Sequence, residues 1–207
     1  MQLPMQLTIL RIALAVVFLV LFAFVEPPNT SWAVLLFIIA AVTDWWDGHI
    51  ARRMKLESEL GAFLDPLADK LLTGAAFVSF ALKGLVAWWM VIIILFRDVY
   101  MTVLRAAADG AGLPIHTSRI AKIKTFVQML FLGAMLARIV RVEGPHDGAF
   151  LHSLAVLLAP LADLILLVVP MWGVTLLTAI TAIGYTFDNW QTLTRLLSGR
   201  TTNDPAQ

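Results

Sequence analysis

The sequence predicts an all-α, polytopic membrane protein with about six transmembrane helices and an active site at the cytoplasmic face. Of its 207 residues, 60% are hydrophobic and only 14% are charged, whereas soluble domains carry about 25% charged residues. The mean hydropathy is +0.85, and the apolar residues form continuous runs long enough to cross a bilayer. No linker or internal repeat stands out, so we expect a single domain over residues 1–207.

The apolar runs are taken in chain order. The first contains Arg11 and lacks a cleavage-site pattern, so we expect a retained helix rather than a removed signal peptide. The second is apolar to Val42 and continues as a charged helix to about Met54. The third begins at Pro66, a residue suited to a first helical turn. Spans are predicted at residues 7–25, 32–54, 66–82, 85–104, 120–140 and 171–197.

Residues 149–169 form a seventh apolar run that we do not count as a span. The run contains Pro160 and Asp163, and Pro170 follows it directly. Helix hairpins need about 2–8 connecting residues, so residues 169–170 cannot turn between two full antiparallel spans. We therefore expect an interfacial or re-entrant segment, from which Asp163 reaches water without an obvious partner.

Basic residues in the loops predict the orientation, because cytoplasmic loops carry an excess of Lys and Arg. The predicted cytoplasmic positions are Arg11, Arg52, Arg53, Lys55, Arg105, Arg119, Lys122, Lys124, Arg195 and Arg200. Both termini should then face the cytoplasm, in a multi-pass protein of the cell (inner) membrane. Tryptophans near span ends are expected to act as interfacial anchors. They are Trp32, Trp88, Trp89, Trp172 and Trp190.

Charge and cysteine content exclude several function classes. The formal net charge is +1, which argues against a nucleic-acid partner. The chain has no cysteine, so disulfides, thiolate metal sites and cysteine nucleophiles are excluded.

Four carboxylates near the facing ends of the second and third spans carry most of the functional information. Asp44 and Asp47 are three residues apart, and Asp65 and Asp69 are four apart, so each pair shares a helical face. Ionised carboxylates next to hydrocarbon are functional by default, because they need a cation or a partner. Paired oxygen donors favour hard divalent ions, so we predict a site for Mg²⁺ or Mn²⁺.

Two other interpretations of these acids stay open at this point. Asp65 could cap the third helix before Pro66, and Asp44 and Asp47 could form helix-end ion pairs with neighbouring arginines. Membrane carboxylates also mark ion pathways, so the chain could be a small divalent-cation carrier. A carrier should distribute acids through the bilayer depth and contain repeats, whereas these four cluster at one face.

The pattern Asp-x2-Asp-Gly-x2-Ala-Arg-x8-Gly-x3-Asp-x3-Asp resembles the signature of the CDP-alcohol phosphatidyltransferases. The chain matches it at Asp44, Asp47, Gly48, Ala51, Arg52, Gly61, Asp65 and Asp69. The resemblance implies that the four aspartates hold one or two divalent ions, Mg²⁺ or Mn²⁺, on the diphosphate of a CDP-linked lipid. It also implies that Asp69 deprotonates the acceptor alcohol, that Gly48, Ala51, Arg52 and Gly61 bind the CDP-lipid, and that the protein is a homodimer.

Residues outside the signature resemble the branch of this family that joins CDP-diacylglycerol to sn-glycerol 3-phosphate. Arg97 and Asp98 belong to this resemblance, and Arg97 should pair with Asp98 or a motif carboxylate because it lies within an apolar span. The acceptor-binding residues are predicted to be Thr8, Arg11, Arg105, Arg119, Lys122 and Lys124.

Two departures from this branch leave a second acceptor open. Gln2 stands where Asn is frequent, and Asp98 stands where Glu is common. Because an Arg-Asp pair also occurs in cardiolipin synthases that use CDP-diacylglycerol, phosphatidylglycerol is an alternative acceptor. The loop cations could also serve only the positive-inside bias and contact anionic lipid headgroups.

Overall fold

The computed structural model describes residues 3–24, 30–54, 59–113, 119–143 and 150–197, which are helical throughout apart from short turns. Within these ranges, the side chains of 3–8, 44–54, 59–69, 119, 121, 191 and 195–197 lie outside what the structure describes. The helices are α1 Leu3–Phe24, α2 Thr30–Met54, α3 Glu59–Leu82, α4 Trp88–Gly110, α5 Arg119–Glu143, α6 Phe150–Leu157, α7 Ala159–Val168, α8 Met171–Asp188 and α9 Trp190–Leu197. The all-α prediction is confirmed for this part of the chain.

Helices α2 and α3 carry the carboxylate motif, and of their predicted boundaries the start of α3 is wrong, whereas its end at Leu82 is correct. α2 continues to Met54, as the sequence predicted. α3 begins at Glu59, so the prediction that Pro66 lies in its first turn is wrong. Pro66 lacks an N–H and cannot donate to the carbonyl of Ala62. Glu59, Leu60, Ala62 and Leu64 are good helix formers, and α3 continues through the proline with one hydrogen bond fewer.

The segment 149–169 consists of two short helices. α6 and α7 meet at Leu158 with a bend of 56°. The break follows from Pro160, which lies in the first turn of α7 and has no N–H for the carbonyl of Val156. Such a bent pair is compatible with a broken span or a re-entrant loop, so the interfacial or re-entrant assignment stays a prediction.

Asp163 on α7 has a partner, contrary to the expectation that it only reaches water. The two guanidinium Nη atoms of Arg141 donate to its two carboxylate oxygens at 2.8 and 3.0 Å. Both side chains are partly exposed, and the pair joins α5 to α7. The sequence missed the contact because the two residues lie on separate helices, and their approach depends on how those helices pack.

The last apolar stretch, 171–197, is interrupted at Asn189, whereas the sequence predicted one span. Asn189 is buried, and its side-chain amide donates to the carbonyl of Tyr185 at 3.0 Å. Asparagine side chains compete with helical backbone hydrogen bonds in this way. α8 ends at Asp188 and α9 starts at Trp190, so the break falls at Asn189.

Three helix ends meet in a polar contact that we call the Glu143 cluster, formed by Thr30, Lys83 and Glu143. The Glu143 carboxylate accepts from the Thr30 hydroxyl at 3.0 Å and from the Lys83 ammonium at 2.5 Å. The contact gathers the beginning of α2, the end of α3 and the end of α5. The motif-bearing end of α2 and beginning of α3 therefore lie at the opposite end of the bundle.

The core between these ends is aromatic. α1 packs against α2 and α3, α4 against α3 and α8, and α5 against α2, α7 and α8. Phe22 of α1 meets Phe80 of α3 edge-on with ring centroids 5.8 Å apart. Phe77 of α3 stacks on Phe131 of α5 at 6.2 Å. These contacts hold the motif helix α3 between α1, α4 and α5.

The bilayer prediction receives partial support. Among the residues described, Lys122–Glu143 is long and apolar enough to cross a membrane, and α6 with α7 adds a second span if the bent pair counts as one. Apolar segments of 10–17 residues also lie in α1, α2 and α3. The five predicted anchor tryptophans are exposed, 48–68%, within the first turns of α2, α4, α8 and α9. The six-span count and the anchoring role stay predictions.

Candidate active site

The motif residues lie on the two helices that the sequence predicted. Asp44, Asp47, Gly48, Ala51 and Arg52 belong to α2. Gly61, Asp65 and Asp69 belong to α3. Because both segments are helical, the spacings of three and four residues place each pair of acids within one turn. The motif side chains lie outside the described residues, so their coordination remains a prediction.

The helix boundary of α3 removes one alternative for Asp65. A capping residue has non-helical backbone and precedes the first helical residue. Asp65 instead lies inside α3, which begins at Glu59. A role as the N-cap of α3 is therefore wrong.

A buried ionic cluster lies where α4 and α5 approach each other; we call it the Asp98 cluster, formed by Arg97, Asp98, Lys124 and Gln128. Asp98 Oδ1 accepts from Lys124 Nζ at 2.6 Å and from Arg97 Nη1 at 3.1 Å. Gln128 Nε2 donates to Asp98 Oδ2 at 3.5 Å. Their exposed fractions run from 1% for Lys124 to 7% for Arg97. The predicted Arg97–Asp98 pair is confirmed.

The charges of the Asp98 cluster do not balance. Among the side chains that the structure describes there, one carboxylate faces two cations, so these residues carry an excess positive charge in a buried position. Nε of Arg97 has no hydrogen-bond partner in the described part of the chain. Buried cations normally find a partner, so the cluster is suited to an additional anion.

The Asp98 cluster is electrostatically connected to the motif helix. Lys70, which follows Asp69 directly in α3, interacts with the Asp98 carboxylate through space. α3 also packs against α4. The excess charge and the end of the carboxylate motif on α3 therefore belong to one neighbourhood of the bundle.

The other predicted acceptor residues are placed differently. Arg11 on α1 is buried, with 7% of its surface exposed. Arg105 on α4 and Lys122 on α5 are exposed. The side chains of Thr8 and Arg119 lie outside the described residues. Of the six predicted acceptor residues, the structure thus brings Lys124 into the Asp98 cluster, and it does not test binding by any of them.

Sequence reasoning did not identify Asp98 or Gln128 as partners of Lys124. One signal was available, since Lys124 and Gln128 are four residues apart and share a face of α5. Asp98 lies 26 positions earlier, and no local pattern connects it to that face.

The described side chains contain no group of three or more acidic, His or Cys residues that could hold a metal ion. That finding leaves the four motif aspartates untested, because their side chains are not among those described. The donor set itself, four carboxylates on two helices, has the chemistry that Mg²⁺ and Mn²⁺ prefer.

Comparison with known proteins identifies the family. The family model for CDP-alcohol phosphatidyltransferases matches residues 1–161. A Bacillus subtilis (strain 168) protein named CDP-diacylglycerol–glycerol-3-phosphate 3-phosphatidyltransferase is 35% identical over 206 residues, covering 93% of this chain and 97% of the relative. A Pectobacterium atrosepticum protein of the same name is 38% identical over 163 residues, covering 75% and 88%.

A third relative carries a related name. The Mycobacterium tuberculosis (strain ATCC 25618 / H37Rv) protein, named probable phosphatidylglycerophosphate synthase, is 35% identical over 184 residues, covering 86% of this chain and 77% of the relative. These matches extend well beyond the carboxylate motif. The chain therefore belongs to the CDP-alcohol phosphatidyltransferase family and is a transferase.

Proposed function

We propose that this protein transfers the phosphatidyl group of CDP-diacylglycerol to sn-glycerol 3-phosphate, giving phosphatidylglycerophosphate and CMP. The observation that carries the proposal is the complete family motif on α2 and α3, together with relatives named for this reaction. The family membership favours a transferase over the divalent-cation carrier that the sequence left open.

The reaction is a displacement at phosphorus. The acceptor hydroxyl attacks the lipid-side phosphorus, a new P–O bond forms, and the P–O bond to CMP breaks. Asp69 accepts the hydroxyl proton, and Gly48, Ala51, Arg52 and Gly61 bind the CDP-lipid. Mg²⁺ or Mn²⁺ held by Asp44, Asp47, Asp65 and Asp69 would neutralise charge on the diphosphate. The main contribution of the chain is to align the hydroxyl in line with the leaving group.

The Asp98 cluster supports an anionic acceptor. Glycerol 3-phosphate carries close to two negative charges and strong acceptor oxygens. A buried cluster with two cations and one carboxylate offers the opposite charge. Lys124 belongs to this cluster, and we assign it to acceptor binding with Thr8, Arg11, Arg105, Arg119 and Lys122.

The proposal includes a membrane arrangement. We assign six spans, with α6 and α7 at the non-cytoplasmic surface and the motif at the cytoplasmic face of the cell membrane. The Glu143 cluster supports this, because it gathers helix ends that all lie opposite the motif. A homodimer, suggested by the family resemblance, would be seen by crosslinking in lipid.

The reaction is tested with purified protein, CDP-diacylglycerol and Mg²⁺ or Mn²⁺. Labelled glycerol 3-phosphate and labelled phosphatidylglycerol are supplied in parallel, and label in lipid and released CMP are both measured. We expect label only from glycerol 3-phosphate, with one CMP per product. Label entering a new lipid only from phosphatidylglycerol would make the protein a cardiolipin synthase.

Three further experiments examine the site. Asp69→Asn should abolish turnover while retaining CDP-lipid binding, because it removes the base and leaves three carboxylates. Near-normal activity of this variant would refute the base assignment. EDTA should stop the reaction, and added Mg²⁺ or Mn²⁺ should restore it. CMP should raise the unfolding temperature in the presence of the ion, whereas a cation carrier would respond to the ion alone.

A further inference from the structure

We infer that Asp98 is a positioning residue, whose carboxylate on α4 holds the Lys124 ammonium of α5 in place for the phosphate of the acceptor. The inference rests on the proposed function, because it gives Lys124 the role of an acceptor ligand. Asp98 itself would not touch the substrate. It acts through the Lys124 ammonium that it binds.

The Asp98 cluster links helix α4 to helix α5. α4 and α5 each pack along α8, and the Asp98 cluster connects them directly. Lys124 and Gln128 lie four residues apart on α5, and each donates to a different oxygen of the Asp98 carboxylate. The carboxylate is therefore held by two contacts from α5, while Arg97 binds it from its own helix.

Lysine needs such a partner because its side chain is flexible. The ammonium sits on a four-carbon stem with many rotamers, and ordering that stem costs conformational entropy. The 2.6 Å contact with Asp98 fixes the ammonium before an acceptor arrives. Burial of Lys124, which is 1% exposed, limits its alternative directions further.

Asp98 binds both cations but neutralises only one of their two positive charges. With one carboxylate for Arg97 and Lys124, a positive charge remains for an incoming phosphate. A second carboxylate in the cluster would remove that excess, and an absent one would leave two like charges side by side. The arrangement therefore combines alignment of Lys124 with attraction for an anion.

The Asp98 carboxylate could instead weaken acceptor binding or only stabilise the fold. The three roles predict different results when the carboxylate is removed. If the carboxylate only competed with the acceptor for Lys124, its removal would strengthen acceptor binding. If it only stabilised the fold, its removal would affect both substrates equally. A positioning role predicts weaker binding of the acceptor alone.

The experiment measures KM for glycerol 3-phosphate and for CDP-diacylglycerol in wild type, Asp98→Asn, Asp98→Glu, Lys124→Met and the Asp98→Asn/Lys124→Met double variant. We expect Asp98→Asn to raise KM for glycerol 3-phosphate about tenfold, the equivalent of one charge-assisted hydrogen bond. KM for CDP-diacylglycerol should stay close to wild type. Asp98→Glu, which keeps the charge, should restore most of the acceptor affinity.

The double variant separates positioning from a general effect. If Asp98 acts through Lys124, adding Asp98→Asn to Lys124→Met should change KM little further. The double variant also buries one cation fewer than Asp98→Asn, so it can be measured if the single variant does not fold. Asp163→Asn is the matched control, because it also takes a carboxylate from an arginine but lies on α7.

Several outcomes would overturn the inference. These are a fall in KM for glycerol 3-phosphate, an equal change for both substrates, or additive effects in the double variant. Each of them leaves wild-type turnover intact and so does not affect the proposed function. Wild-type protein that does not turn over glycerol 3-phosphate would instead overturn the acceptor assignment, and this inference with it.

Discussion

The Glu143 cluster should stabilise the bundle without contributing to catalysis. Its carboxylate is bonded to Thr30 and Lys83, and the two charged side chains are only 15% and 22% exposed. Glu143→Ala leaves a partly buried ammonium and a hydroxyl without this acceptor. Unsatisfied donors of this kind cost about 1–3 kcal/mol. In a chain of this length, each kcal/mol lowers the unfolding temperature by about 2–4 °C.

Kinetic constants should be unchanged in the same variant. From Asp65 to Lys83 the chain advances 18 positions along and just past α3, a rise of about 27 Å. The cluster is thus remote from the motif. The assay is thermal unfolding of purified protein in detergent, followed by KM and kcat measured at a temperature where both proteins are folded.

Glu143→Gln is the matched control for this prediction. Its amide oxygen can still accept from Thr30, so the loss should be smaller than for Glu143→Ala. The Lys83 ammonium, which also lies 5.1 Å from the centroid of the Phe22 ring, keeps that second contact in both variants. An unchanged unfolding temperature in Glu143→Ala, or a raised KM for either substrate, would refute the reasoning.

Two further predictions concern backbone conformation and internal hydroxyls. Gly84 has φ of 70° and open space where the Cβ of another residue would lie, so Gly84→Ala should cost about 1 kcal/mol through its backbone alone. Gly133→Ala, equally uncrowded but inside α5, should be neutral or stabilising; equal unfolding temperatures would contradict this. Thr178 is fully buried and donates to the carbonyl of Val174 in its own helix. Thr178→Val should therefore change stability by less than about 1 kcal/mol, and a larger loss in thermal unfolding would show that the hydroxyl serves another helix.

The sequence alone determined the helical class and the position of the motif. Continuous apolar runs and the short spacings among Asp44, Asp47, Asp65 and Asp69 are local features, and helix formation depends mainly on local features. For the same reason, the prediction that α2 continues into the charged segment was correct. The pairing of Arg97 with Asp98 was also predictable, because a buried arginine needs an anion and its neighbour supplies one.

Some boundaries escaped local reasoning because competing local signals had to be weighed. Pro66 suggested a helix start, yet α3 begins seven residues earlier, at Glu59, and continues through the proline. Asn189 gave no strong signal within an apolar run, yet its amide bonds the Tyr185 carbonyl at the break between α8 and α9.

Only the tertiary structure decided which distant charges meet. Asp98 reaches Lys124 across 26 positions, Arg141 reaches Asp163 across 22, and Lys83 reaches Glu143 across 60. Each contact requires two helices to pack with a particular register, which depends on side-chain packing along their whole lengths. The sequence therefore supplied the reacting groups and their helices, and the packing of those helices decided that a buried, positively charged cluster lies beside the helix that carries the motif.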